Sequence, residues 1–186
     1  MRADAFREFM FRLLQAIPIN YLVLALALML GACGAPPYDE QTDRLISALQ
    51  YDVDSQLVAL LSLDHQIAEY SSANTDAGRK ALAETKARAG YDANAPFYDK
   101  LDSQLTSLRL RIDALPNEAT SDLDRSIDEL RANLLTSEGS LRSVHQQRGV
   151  LSEAYLRNER RISNTQFQAL LSYELVLKAG SSIGKK

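Results

Sequence analysis

The spacing of the large apolar residues constrains this chain most. Phe97, Leu101, Leu105, Leu108, Ile112 and Leu115 follow one another at intervals of four, four, three, four and three. Side chains so spaced share one face of an α-helix, as in a coiled-coil seam, but would be divided between the two faces of a strand. Such a stripe has to be buried against other helices. The same rhythm runs through Leu45, Leu49, Val53, Leu57 and Leu60, widened by Ile46, Leu61, Leu63 and Ile67. It returns in Leu123, Ile127, Leu130, Leu134, Leu141 and Val144, with Ser137 between Leu134 and Leu141. Leu156, Ile162, Phe167, Leu170, Leu171, Leu175 and Leu177 supply a fourth apolar side. No Asn-Gly or Asp-Gly turn joins alternating runs, so the pattern predicts an all-α fold.

Boundary residues divide the stripes. Thr42 is suited to cap the first main helix, which should fray near Tyr70 before Ser71-Ser72-Ala73-Asn74. Residues Asp76 to Ala89 have Leu82 as their one large apolar side chain and form a short peripheral helix stopped by Gly90. Its Arg79, Lys80, Lys86 and Arg88 read as a solvated face. Pro96, behind Asn94 and Ala95, fits the first turn of the second main helix, which Pro116 ends in Leu115-Pro116-Asn117. The third helix runs from Thr120 or Ser121 to Gly149, with a weak point at Gly139. Ser152 opens the fourth, with Glu153 and Arg157 at i,i+4, and Gly180 closes it. Short links force antiparallel neighbours. The expected architecture is an antiparallel up-down bundle over 42–180, of four main helices plus the short peripheral one. Residues 181–186 form a loose basic tail.

The N-terminus has a different character. Arg2, Arg7 and Arg12 precede an unbroken apolar run, Tyr21 to Leu30. Ten helical residues rise about 15 Å, half of a ~30 Å hydrocarbon core, so this run suits a signal peptide better than a stable span. Met1 and Met10 are both usable starts. The run ends in Leu30-Gly31-Ala32-Cys33, which resembles the lipobox of bacterial lipoproteins. That resemblance implies a signal peptide over 1–32, a lipidated Cys33 at the head of the mature chain, and a tether over 33–41 containing Pro36-Pro37. Gly34, where an aspartate would favour inner-membrane retention, implies the outer membrane facing the periplasm. The competing reading is an uncleaved membrane anchor with an incidental cysteine. A second resemblance rests on Tyr91, Asn94, Phe97-Tyr98-Asp99, Leu108-Arg109-Leu110-Arg111, Leu115-Pro116-Asn117 and Leu171 to Gly180. These are similar to small helical bacterial lipoproteins of no established activity, and imply helices behind a lipid anchor.

Composition narrows the chemistry. The chain has 186 residues, a net charge of -3 and 46% hydrophobic residues, so it can build a core, and its acidic balance argues against nucleic-acid binding. One cysteine excludes an internal disulfide framework or a Cys-rich metal cluster. His65 and His145 are the only histidines, and neither follows a glutamate by three, so the di-iron bundle motif is missing. His145 reads as a partly exposed residue favoured by a helix C-terminus. No nucleophile elbow or phosphate loop is present. No metal, and no cofactor beyond the lipid on Cys33, is expected.

One polar group stands out. Glu174 lies among Leu170, Leu171, Leu177 and Lys178, and Arg109 and Arg111 flank the seam of the second helix. An ion pair between Glu174 and either arginine would fix register, while the competing reading leaves Glu174 at the edge of the face.

The resulting expectation is a non-enzymatic envelope lipoprotein, held to the membrane by lipid, whose bundle organises or binds an envelope protein. Tyr51, Tyr70, Tyr91, Tyr98 and Tyr155 would be its contact anchors if exposed together. The alternative is a periplasmic carrier or chaperone-like module for an apolar ligand or unfolded client, which would need an apolar cavity or concave face.

Overall fold

The computed structural model describes residues 40–114 and 121–183, with backbone alone at 174, 177 and 179–183. The expected signal peptide with Leu30, Gly31, Ala32 and Cys33, the expected turn at 115–117 and the last three residues lie outside this range. Six α-helices are described: α1 (Glu40–Ser71), α2 (Asp76–Ala89), α3 (Tyr91–Asp113), α4 (Ser121–Arg131), α5 (Leu141–Arg148) and α6 (Glu153–Ile183). A π-helical stretch, Ala132–Thr136, continues α4.

The helices make four antiparallel arms. α1 is the first, α2 and α3 in series the second, α4 with its π stretch and α5 the third, and α6 the fourth. Cross-links set the register. Asp52 receives Gln104 and Lys100 of α3 at 2.8 and 2.7 Å. Arg160 of α6 grips Asp54 of α1 through Nε and Nη2 at 2.5 and 3.0 Å. Arg131 of α4 reaches Asp102 at 2.5 Å. In each pair, residue numbers rise on one arm as they fall on the other, which is the up-down topology. Inside, Ile46, Leu49, Val53, Leu57, Leu101, Leu105, Leu108, Ile112, Leu123, Ile127, Leu130, Leu134, Leu156, Phe167 and Leu170 are fully buried. No described helix is long and apolar enough to cross a membrane.

Several ends differ from the sequence expectation. α1 begins at Glu40, within the expected tether, and Thr42 is a buried first-turn residue. α3 begins at Tyr91, so Pro96 sits inside the helix rather than in its first turn. The missing N–H leaves the carbonyl of Asp92, an exposed residue, to water. Asn94 secures the junction instead. Its Nδ2 donates to the carbonyls of Arg88 and Gly90, at 3.0 and 2.7 Å, and its Oδ1 accepts from Gln56 at 2.6 Å. α2 packs along α1, and its first turn presses on the turn that joins the two helices. A Cβ on Gly78 would lie 2.5 Å from that of Ala73.

The third arm is broken rather than kinked. Ser137 N–H bonds Ala132 O at 3.0 Å, an i→i+5 closure. The wider turn shifts the helical phase and brings both Leu134 and Leu135 into the core. The chain then leaves the helix at Ser137 and restarts behind Ser140, whose Oγ accepts from Ser143 N–H at 3.3 Å. Gly149 ends α5 with φ +72°, a conformation side chains resist. Gly149→Ala is expected to lose about 1–3 kcal/mol, although its Cβ would meet nothing. Gly139→Ala, equally open but without that φ, should change a urea midpoint by no more than the equivalent of ~0.5 kcal/mol.

α6 starts on a cap borrowed from α1: Asp64 accepts from the Glu153 N–H at 2.9 Å. Arg157 pairs with Glu153 at 2.6 Å, as i,i+4 spacing predicts. The helix runs through Gly180 into the expected tail and ends at Ile183. Leu175 stands 65% exposed and Ile162 half-buried, so neither is the core residue its spacing suggested.

Candidate functional site

Polar residues occupy positions where the seams call for leucine. Along α6 the buried face reads Leu156, Glu159, Ser163, Phe167 and Leu170, at intervals of three, four, four and three. Opposite Glu159 stands Asn133, in the π stretch. Asn133 Nδ2 donates to Glu159 Oε1 at 2.6 Å and to Gln166 Oε1 at 3.3 Å. Burial holds the Glu159 carboxyl above the ordinary carboxylate range, and the bond from Asn133 only partly opposes this. Tyr155, one turn before Glu159, carries a buried hydroxyl with no hydrogen-bond partner. Burial, then the nearby Glu159 charge, pushes it up to about 12. The Arg148 guanidinium lies 5.8 Å from its ring centroid.

A second group closes the layer where α5 meets α3. Tyr98 and His145 are both fully buried, which corrects the exposed tyrosine and the partly exposed histidine of the sequence reading. Leu101 lies three residues after Tyr98, so Tyr98 joins the seam and Phe97 is left half-buried beside it. Hydrogen bonding makes the burial of two polar rings tolerable. His145 Nε2 lies 2.9 Å from the Ala89 carbonyl, and Nδ1 lies 2.8 Å from Tyr98 Oη. A carbonyl can only accept, so Nε2 carries the proton. Nδ1 then offers a lone pair, to which the Tyr98 hydroxyl donates. Tyr91 stacks on Tyr98 with centroids 5.7 Å apart and meets the edge of His145. Its hydroxyl accepts from Arg142 Nε at 3.2 Å, and its N–H donates to Gly149 O at 3.1 Å.

Of the expected ion-pair residues, the side chain of Arg109 is fully described. Arg109 bridges α3 to α4 near their linked ends, reaching Asp128 at 2.8 Å, Asp113 at 3.1 Å and Asp124 at 3.7 Å. Arg111 is half-buried two residues on. The Glu174 backbone belongs to α6, and its side chain lies outside the described residues. No group of His, Cys, Asp and Glu suited to a metal occurs among the described residues. The tyrosines do not gather outside. Tyr98 is buried, Tyr70, Tyr91 and Tyr155 are half-buried, and Tyr51 is 74% exposed. Tyr51 borders an open polar cleft of about 440 Å³ between α1 and α6, beside Asp54, Arg160 and Asn164.

The polar layer resembles the heptads in spacing but not in chemistry, so only its phase was visible beforehand. Compared with known protein families, curated proteins and solved structures, the chain matches none.

Proposed function

We propose that this protein is a lipid-anchored bacterial envelope protein whose bundle serves as a non-enzymatic interaction module, at the outer membrane facing the periplasm. The observation that carries the reading is the lipobox-like Leu30-Gly31-Ala32-Cys33 closing a short apolar run, a few residues before α1 begins at Glu40. A tether that short, at ~3.1 Å per residue, keeps the start of α1 within about 19 Å of the anchored cysteine. The leucine-filled interior favours a module that works through its surface over one that encloses a ligand. The Tyr51 cleft, aromatic and polar together, is the surface best suited to a protein partner.

Intact mass and membrane fractionation of wild type beside Cys33→Ser test the anchor. A mature species starting at Cys33, heavier by its acyl groups and lost in the variant, is the expected result. Each buried acyl methylene contributes ~0.8 kcal/mol, so several chains hold the wild type in the membrane fraction through a high-salt wash. An uncleaved, unacylated wild type would overturn the reading.

A further inference from the structure

We propose that His145 is an acid-operated latch: neutral, it clamps α5 to the α2–α3 junction, and its protonation releases α5 and uncovers the Tyr91–Tyr98 face of α3. The inference is independent of the lipid anchor.

Little holds α5 in place. It has eight residues, lies between the break at 137–140 and the positive-φ Gly149, and buries two side chains, Leu141 and His145. One of its two fully buried side chains is therefore an imidazole, with Val144 packed beside it at the edge of the core. Both ring nitrogens are committed, Nε2–H to the Ala89 carbonyl and the Nδ1 lone pair to the Tyr98 hydroxyl. A proton on Nδ1 removes that lone pair. The Tyr98 oxygen then has to accept from Nδ1–H, and its own O–H, turned away, loses its acceptor beside a charged ring, both side chains being fully buried. An orphaned buried donor is strongly unfavourable, and a buried unpaired charge more so. Opening α5 relieves both.

The surroundings offer the imidazolium no counter-charge. From α3 it meets Tyr91 and Tyr98. From α2 it meets the Ala89 carbonyl alone. Its own helix carries Arg142 and Arg148, both cationic. Tyr155 and Glu159 of α6 approach the Tyr98 side, where Tyr98 senses them, and burial disfavours a charged Glu159. Burial likewise holds His145 below the ordinary histidine range, against the pull of the Ala89 and Gly149 carbonyls. The sign follows. The unfolded or opened chain takes up a proton near pH 6.5 and the closed one does so only at lower pH, so closure is fully favoured above ~6.5 and weakens as pH falls, by up to tenfold per pH unit. Glu159, with a raised value, contributes stability of the opposite sign, present at low pH and lost as pH rises. The readout must therefore be local to α5.

The experiment uses the full chain in detergent micelles. With only two histidines, histidine-selective NMR resolves His145 from the exposed His65. The His145 signal should titrate below the ordinary value. Between pH 7.5 and pH 5.0, amide protection factors over 141–148, with intrinsic exchange divided out, should fall roughly tenfold or more. Those of α3 around Leu105 should fall less. His145→Gln, which keeps one donor and one acceptor but does not titrate, should abolish the α5 change. The latch is overturned if His145 titrates at or above the ordinary value, if α5 protection is unaltered while His145 titrates, or if His145→Gln retains the full pH response. Should that variant not fold, the two wild-type measurements decide alone.

Discussion

Phe167→Ala is expected to destabilise the bundle by about 3–5 kcal/mol and to lower its melting temperature by roughly 10 °C. Phe167 is fully buried. By the register of α6 against α1 and α4, it falls level with Leu49 and Ile127, and no neighbouring backbone is free to collapse into the space a missing ring leaves. The deletion removes the transfer free energy of the ring and leaves a void whose lining has lost its dispersion contacts. Leu175→Ala is the matched control. Leu175 is on the same helix but 65% exposed, so it should shift stability by less than ~0.5 kcal/mol. Thermal melts of both variants measure the contrast. Near-equal effects would mean that the leucine interior is loosely packed.

Asn133→Leu should be the second most damaging of these changes, at about 1–3 kcal/mol, because it strips Glu159 of its donor inside the bundle. Adding Glu159→Leu should recover the loss or exceed wild type, since two matched apolar groups carry no desolvation penalty. The coupling energy of this double-mutant cycle should then be about 1–3 kcal/mol. Glu159 also sets a pH signature. Its native value is raised, so the native state binds the proton more tightly than the unfolded chain. Its contribution is complete below the unfolded value of about 4.3 and declines as pH rises through the native one. Glu159→Gln should remove that decline. Urea titrations of the four proteins of the cycle and of Glu159→Gln, at two pH values, measure both effects, and an additive cycle would refute a coupled Asn133–Glu159 pair.

The leucine seams made the helices and their antiparallel order legible, because a spacing of three and four has one structural meaning. Chain breaks were less so. Gly139 marked the weak point in the third arm, yet the π turn that precedes it depends on whether Leu134 and Leu135 can both reach the core, and the neighbouring arms decide that. Pro96 behind Asn94 and Ala95 fits a first helical turn, but the Asn94 bonds to Gln56, Arg88 and Gly90 secure an earlier start. The candidate site was hidden for a related reason. Glu159 and Ser163 keep the α6 seam spacing, but an apolar count passes over them in favour of Ile162. His145 follows Val144 by one position, and that spacing, with the helix end just beyond it, reads as partial exposure, whereas the ring is fully buried. Its burial rests on a carbonyl at the end of α2 and a hydroxyl on α3, contacts no local pattern encodes.

An even number of arms returns the chain to the end from which it began. Glu40 of α1 and the last turns of α6 therefore lie at one end of the bundle, while the two helices are held laterally further in, where Arg160 grips Asp54. Tension applied between those two ends would load the α1–α6 seam one turn at a time, as a zipper, instead of all at once, as a lap joint. A bundle of this topology resists heat through its whole interior but yields to a pull through a single edge.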